Sequence, residues 1–125
     1  MELLFESTEA FERDLAALSE PDRESLIAAI NRHCPLLACD QESFFAQVYQ
    51  PRVITLQHDC CSSLYVLPAG PGRAIILTID DDPIFDQTMI TLLCIVPSQE
   101  IESAYTRTAR ALYGHQIEEH GGSHG

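Results

Sequence analysis

Three groups of residues in this 125-residue chain are of types that do chemistry. His33, Cys34 and Cys39 form one cluster of thiols and imidazole, and His58, Cys60 and Cys61 form a second. Brought together, they could supply a tetrahedral ligand set to zinc. Neither cluster has the two-residue spacing usual for such a site, and Cys34 falls on the apolar stripe of a helix. The plainer reading is a buried thiol in the first cluster and an exposed turn in the second. Asp80, Asp81, Asp82 and Asp86 surround Pro83. Their carboxylates suit a hard cation, but no glycine or distal glutamate completes a calcium loop, so a solvated turn between strands is the competing reading. His115, His120 and His124, with Glu118 and Glu119, could chelate a metal weakly, although a polar tail of this kind is ordinarily solvated. No metal and no cofactor is expected.

Charge narrows the function classes further. Nineteen acidic residues stand against seven arginines, there is no lysine, and the net charge is −12. Such a field repels phosphate backbones, which are bound through clustered cations, and it repels anionic membrane surfaces. A basic polypeptide is the partner it attracts. The apolar runs around Ala74–Ile79 and Met89–Val96 are too short to span a bilayer, and the N-terminus lacks the order of a signal peptide. The expectation is a cytoplasmic protein. An odd count of five cysteines fits reduced thiols. With 46% apolar residues the chain can fill one core, and a single domain over 1–114 is expected, followed by a frayed polar tail over 115–125.

The elements that must position these residues centre on Ser63–Val96, which reads strand, turn, strand, turn, strand. Glu2–Phe5 predicts a short opening strand. Ser7 or Thr8 then caps a helix to about Leu18, with Phe11, Leu15 and Leu18 on one face. Ser19 caps a second helix, with Asp22 placed as the far half of a capping box, a stripe of Leu26, Ile27, Ile30 and Cys34, and Pro35 as its end. Asp40–Tyr49 reads as a weaker helix, Val53–His58 as a strand, and His58–Ser63 as a polar turn. Leu64–Leu67, Arg73–Ile79 and Met89–Val96 follow as strands. In the last of these, Ile90, Leu92, Cys94 and Val96 alternate as one apolar face. Ser98 caps a final helix with the stripe Ile101, Ala104, Tyr105, Thr108 and Leu112, and Gly114 suits its end. The fold class is α+β: a mostly antiparallel sheet meander, an N-terminal helical hairpin and a C-terminal helix, with the helices largely on one face.

This order, carried by FESTEAFERDLAAL, PDRESLIAAINRH, SLYVL, GRAIILTIDDD, TMITLLCIV and a terminal helix ending in ALYG, resembles the RelE/ParE toxin superfamily of bacterial toxin–antitoxin systems. The resemblance covers nearly the whole chain up to Tyr113. It implies a small toxin-like protein neutralised by an antitoxin that wraps a segment around it. RelE-like members cut mRNA in the ribosomal A site without a metal, and ParE-like members inhibit DNA gyrase. In the nuclease branch the sheet presents cations to the scissile phosphate and a late residue, often tyrosine, assists the attack. Carried over, the resemblance implies catalytic roles for Arg73, at the start of its strand, and for Tyr105, with Tyr113 competing for that position. Arg107 and Arg110 are the other cations nearby. Glu100 and Glu102 stand where active toxins are typically basic. Read from the residues alone, Arg73 can equally pair with a carboxylate such as Asp80, and Tyr105 can be a core tyrosine with a satisfied hydroxyl.

Two expectations result. One is a RelE/ParE-like toxin component, degenerate as a ribosome-dependent mRNA endonuclease. The other is a non-catalytic acidic interaction module on the same fold, partnered by an antitoxin-like or other basic protein. A homodimer remains open on either reading.

Overall fold

The computed structural model describes residues 1–56 and 62–119. The opening strand β1 (Glu2–Ser7) leads into α1 (Glu9–Ala17) and α2 (Glu20–His33). Thr8 caps α1 by accepting the Phe11 N–H, and Ser19 caps α2 by accepting the Asp22 N–H, each satisfying a donor the helix leaves open. Half of the expected capping box is therefore present. The short helix expected over Asp40–Tyr49 is α4 (Gln41–Phe45), and an unexpected turn of helix, α3 (Leu36–Cys39), precedes it. Asp40 divides them because its carboxylate caps α4, accepting from the Ser43 N–H at 3.2 Å and the Ser43 hydroxyl at 2.6 Å. Those two bonds hold the Asp40 carboxyl below its ordinary pKa.

The remaining strands are β2 (Ile54–Leu56), β3 (Leu64–Pro68), β4 (Arg73–Asp82), β5 (Gln87–Pro97) and β6 (Ile117–Glu119), with α5 (Ile101–Tyr113) before the last. The main sheet has the order β1-β5-β4-β3. Strands β3, β4 and β5 form the expected antiparallel meander, and β1 joins its edge in parallel with β5. Strand β2 stands outside this sheet and pairs with β6. The tail expected from residue 115 thus begins as a 3-10 turn and a short strand, and residues 120–125 lie outside the described residues. The expected turn over His58–Ser63 also falls mostly outside them.

Strand β4 runs three residues past the expected end at Ile79, because Asp80, Asp81 and Asp82 pair with Met89, Thr88 and Gln87 across a hairpin. Its turn is Pro83–Asp86. There the Asp82 carboxylate accepts the Ile84 and Phe85 N–H groups at 3.1 and 3.4 Å, while Asp86 takes a left-handed φ of 51° that aspartate tolerates. At the other end of β4, Gly70 and Gly72 hold φ of 84° and 70°, a turn a side-chain-bearing residue would strain.

One irregularity reorganises β5. The register with β4 shifts between Ile76 and Leu77: Leu77 faces Leu92, but Ile76 faces Cys94. Leu93 is the extra residue of a β-bulge, and side-chain parity reverses across it. Ile90 and Leu92 lie with Ile75 and Leu77, whereas Cys94 and Val96 lie with Ile76 and Ala74. The single apolar face expected over Ile90–Val96 is therefore divided between both sides of the sheet. The backbone groups freed by the bulge are satisfied from the α1 end of the molecule. The Leu93 carbonyl accepts the Thr8 hydroxyl at 2.7 Å, and the Ile95 N–H donates to the Asp14 carboxylate at 3.0 Å.

Two cores result, one on each face. Phe11, Leu26, Ala29, Leu37 and Phe44 from α1 to α4 pack on Leu67, Ile75, Leu77, Ile90, Leu92 and Ile95. On the opposite face, Ala104, Tyr105 and Ala109 of α5 pack on Leu64, Val66, Ala74, Ile76 and Val96. The helices lie largely on one face, as expected, with α1 to α4 together there, and α5 alone covers the other, because the bulge and the apolar sides of β3 and β4 leave two faces to bury. Two stripe positions also differ. Ile27 is exposed and Ala29 takes its place in the core, and Leu112 is exposed while Tyr113 continues the buried side of α5. The expected Ser98 cap is replaced by a 3-10 turn over Ser98–Glu100 that delays α5 to Ile101.

Candidate functional site

Arg73 shares strand parity with Ile75 and Leu77, so its side chain leaves the sheet on the α1–α4 side. There its guanidinium lies 3.2 Å from the Asp22 carboxylate in the first turn of α2, with both side chains about a third exposed or more. The partner is Asp22, not Asp80. Such a half-exposed pair contributes about 0–1 kcal/mol. It ties the start of β4 to the head of a helix whose N-terminal dipole also favours the aspartate.

Tyr105 lies on the other side of the sheet. It is 1% exposed, and its hydroxyl donates to the Leu64 carbonyl at 2.7 Å. Burial pushes its phenol above the ordinary value, with a hydrogen bond to Ser62 opposing that shift. A phenol held protonated, and already donating, is a poor base. Tyr113 is also engaged, since its hydroxyl oxygen accepts the Ser63 N–H at 3.0 Å and lies 3.2 Å from the Ser62 hydroxyl. Arg107 and Arg110 are exposed on α5, and Arg107 is close enough to Cys94 to offset part of the burial that raises that thiol. The four residues carried over from the family pattern are thus divided by the sheet, with Arg73 on one side and the three α5 residues on the other. The sheet itself lies between Arg73 and the buried Tyr105.

Among the described residues the metal-capable groups do not converge either. No group of three such side chains occurs among the described residues. Cys34 is fully buried, which pushes its thiol up to about 11, while Cys39 is exposed and its thiol contacts the Pro35 carbonyl. His58, Cys60 and Cys61 lie outside the described residues. Asp80, Asp81 and Asp82 alternate between the two faces of β4, and Asp81 accepts the Thr88 hydroxyl at 2.8 Å.

What the pairing does assemble is an acidic sheet surface. Three cross-strand rows run over β4, β5 and β1 on the face that α5 covers farther along: Asp82–Gln87–Glu2, Asp80–Met89–Leu4 and Thr78–Thr91–Glu6. Glu2, Glu6 and Asp80 are exposed, Leu4 and Met89 are half-buried, and neither of the latter belongs to a core cluster. No arginine stands in these rows. The strand periodicity carried this information, but it becomes legible only once β1 is known to lie beside β5. The long-range partners of Asp22 and Asp14 were likewise hidden, since Asp22 reads only as part of a capping box and Asp14 carries no local signal.

No protein-family model matches this chain, and no curated protein does. Among solved structures, the chain is similar to a RelB-RelE antitoxin-toxin complex from Methanococcus jannaschii, at 14% sequence identity and a TM-score of 0.45, over 81% of this chain and 96% of that one.

Proposed function

We propose that this chain is a non-catalytic, acidic protein-interaction module of RelE-like type, which holds a basic, antitoxin-like polypeptide and does not cut RNA. The observation that supports this reading is the division of Arg73 and Tyr105 between opposite faces of the sheet, with the Tyr105 hydroxyl buried against the Leu64 carbonyl. Phosphodiester cleavage needs a cation and a proton acceptor within reach of the same phosphate. A net charge of −12 further opposes the approach of RNA. The same charge favours a cationic partner, and the acidic rows across β4, β5 and β1 give that partner somewhere to bind.

Induced expression tests this, with the chain alone and together with a short reading frame found beside its gene. The expected result is unchanged growth, intact mRNA and co-purification with a basic neighbour product. Growth arrest relieved by the neighbour would establish the toxin reading instead. If mRNA cleavage then disappeared in both Arg73→Ala and Tyr105→Phe, those residues would be catalytic after all.

A further inference from the structure

Strand β1 ends the main sheet, and among the described residues no strand pairs with its outer side. The Glu2 N–H donates to the Asp86 carbonyl and the Thr8 N–H to the Leu92 carbonyl. In a parallel ladder this parity turns the even residues toward β5 and directs the N–H and C=O groups of Leu3 and Phe5 outward. A row of backbone donors and acceptors is thus presented to a further strand.

The side chains along this edge specify what that strand would be. Glu2, Leu4 and Glu6 share the acidic face, with Asp80 and Asp82 two strands away. Leu3 and Phe5 point to the helical side, where Leu3 packs on the core and Phe5 is 49% exposed. A second copy of this chain is a poor occupant. An antiparallel pair of β1 strands centred on Leu4 would place Glu2 opposite Glu6 twice, and like charges directly opposite are destabilising.

We propose that the outer edge of β1 accepts an extended segment of a basic partner polypeptide as a fifth strand, with the pattern basic–apolar–apolar–apolar–basic. The two basic residues face Glu2 and Glu6, the central apolar one covers Leu4, and its neighbours cover Leu3 and Phe5. The carboxylates then serve two ends: they discourage self-pairing, and they select a cationic strand. This proposal rests on the reading of a basic partner and adds where, and in what conformation, that partner binds.

Hydrogen exchange with a synthetic peptide tests it, using a Lys-Val-Ile-Val-Lys core, a Glu-Val-Ile-Val-Glu control, and the full chain. The lysine peptide should slow exchange of the Leu3 and Phe5 amides at least about tenfold, and the glutamate peptide should not. Glu2→Lys with Glu6→Lys, both exposed, should weaken lysine-peptide binding about tenfold without unfolding the sheet. Phe5→Pro removes one outward donor at an edge position where proline is tolerated, and should weaken it further. Binding that leaves Leu3 and Phe5 exchange unchanged would overturn the edge proposal while leaving the basic-partner reading intact. So would failure of the lysine peptide to bind a protein that still co-purifies with a basic neighbour product. Protection of the same amides that grows with protein concentration, without peptide, would assign the edge to a second copy and overturn the proposal.

Discussion

The two edges of the main sheet are finished in different ways. At the β3 edge, Tyr49 and Val66 exchange backbone hydrogen bonds at 3.0 and 2.8 Å. The Gln50 side-chain amide donates to the Leu64 carbonyl at 3.1 Å and to the Ser62 carbonyl at 2.8 Å, and Tyr105 donates to Leu64 as well. That edge is closed by side chains and a single bridge. At the β1 edge the outward groups of Leu3 and Phe5 meet no such cover among the described residues, and the exposed carboxylates of Glu2 and Glu6 flank it. An edge is blunted either by satisfying its backbone or by making its approach costly, and only the second leaves room for a partner.

Hydrogen exchange should display this contrast most strongly. In the free protein the Val66 amide is expected to exchange at least about a hundredfold more slowly than the Phe5 amide. Equal protection at both positions would mean that β1 is covered, and the comparison would collapse.

Asp14→Ala probes where the open edge stops. Beyond Ser7 the chain leaves β5, and Thr8 and Asp14 take over the groups that the bulge frees. Leaving the Ile95 N–H without its carboxylate should cost about 1–3 kcal/mol in denaturant unfolding. An unchanged midpoint would show that the bulge needs no support from α1.

Tyr105→Phe tests the closed edge. The Leu64 carbonyl keeps Gln50 as a donor, so the expected loss is about 1 kcal/mol, and a Gln50→Ala, Tyr105→Phe double variant should lose more than the sum of the two. Strict additivity would argue that the two donors do not share one acceptor in solution.

Arg73→Ala is expected to have the smallest effect, below about 1 kcal/mol, because its pair with Asp22 is solvent-screened and lies on neither edge. A loss several times larger, by thermal unfolding, would make that pair a principal tie between sheet and helices.

Much of the architecture is legible in the sequence. Thr8 and Ser19 as caps, Gly114 at the end of α5, the Phe11–Leu15–Leu18 face and the β3–β4–β5 meander all follow from rules that act over a few residues. The candidate site was less legible. Arg73 at the head of its strand and Tyr105 on a buried stripe were both evident, yet nothing local states that they lie on opposite sides of the sheet. That depends on which face α2 covers and which α5 covers.

The sequence by itself determined helices α1, α2 and α5, the glycine turn before β4, the acidic character and the scarcity of cations, because periodicity, capping and composition are properties of neighbouring residues. Only the tertiary structure decided the bulge at Leu93, the partner of Arg73, the place of β1 beside β5 and the pairing of β2 with β6. The physical reason is the separation of the groups involved. Thr8 meets Leu93 across 85 residues and Asp14 meets Ile95 across 81, and an extra residue in one strand reverses every side chain beyond it. No local preference encodes such a reversal. It arises when two distant segments pair, and it is what turned one expected apolar face into two cores.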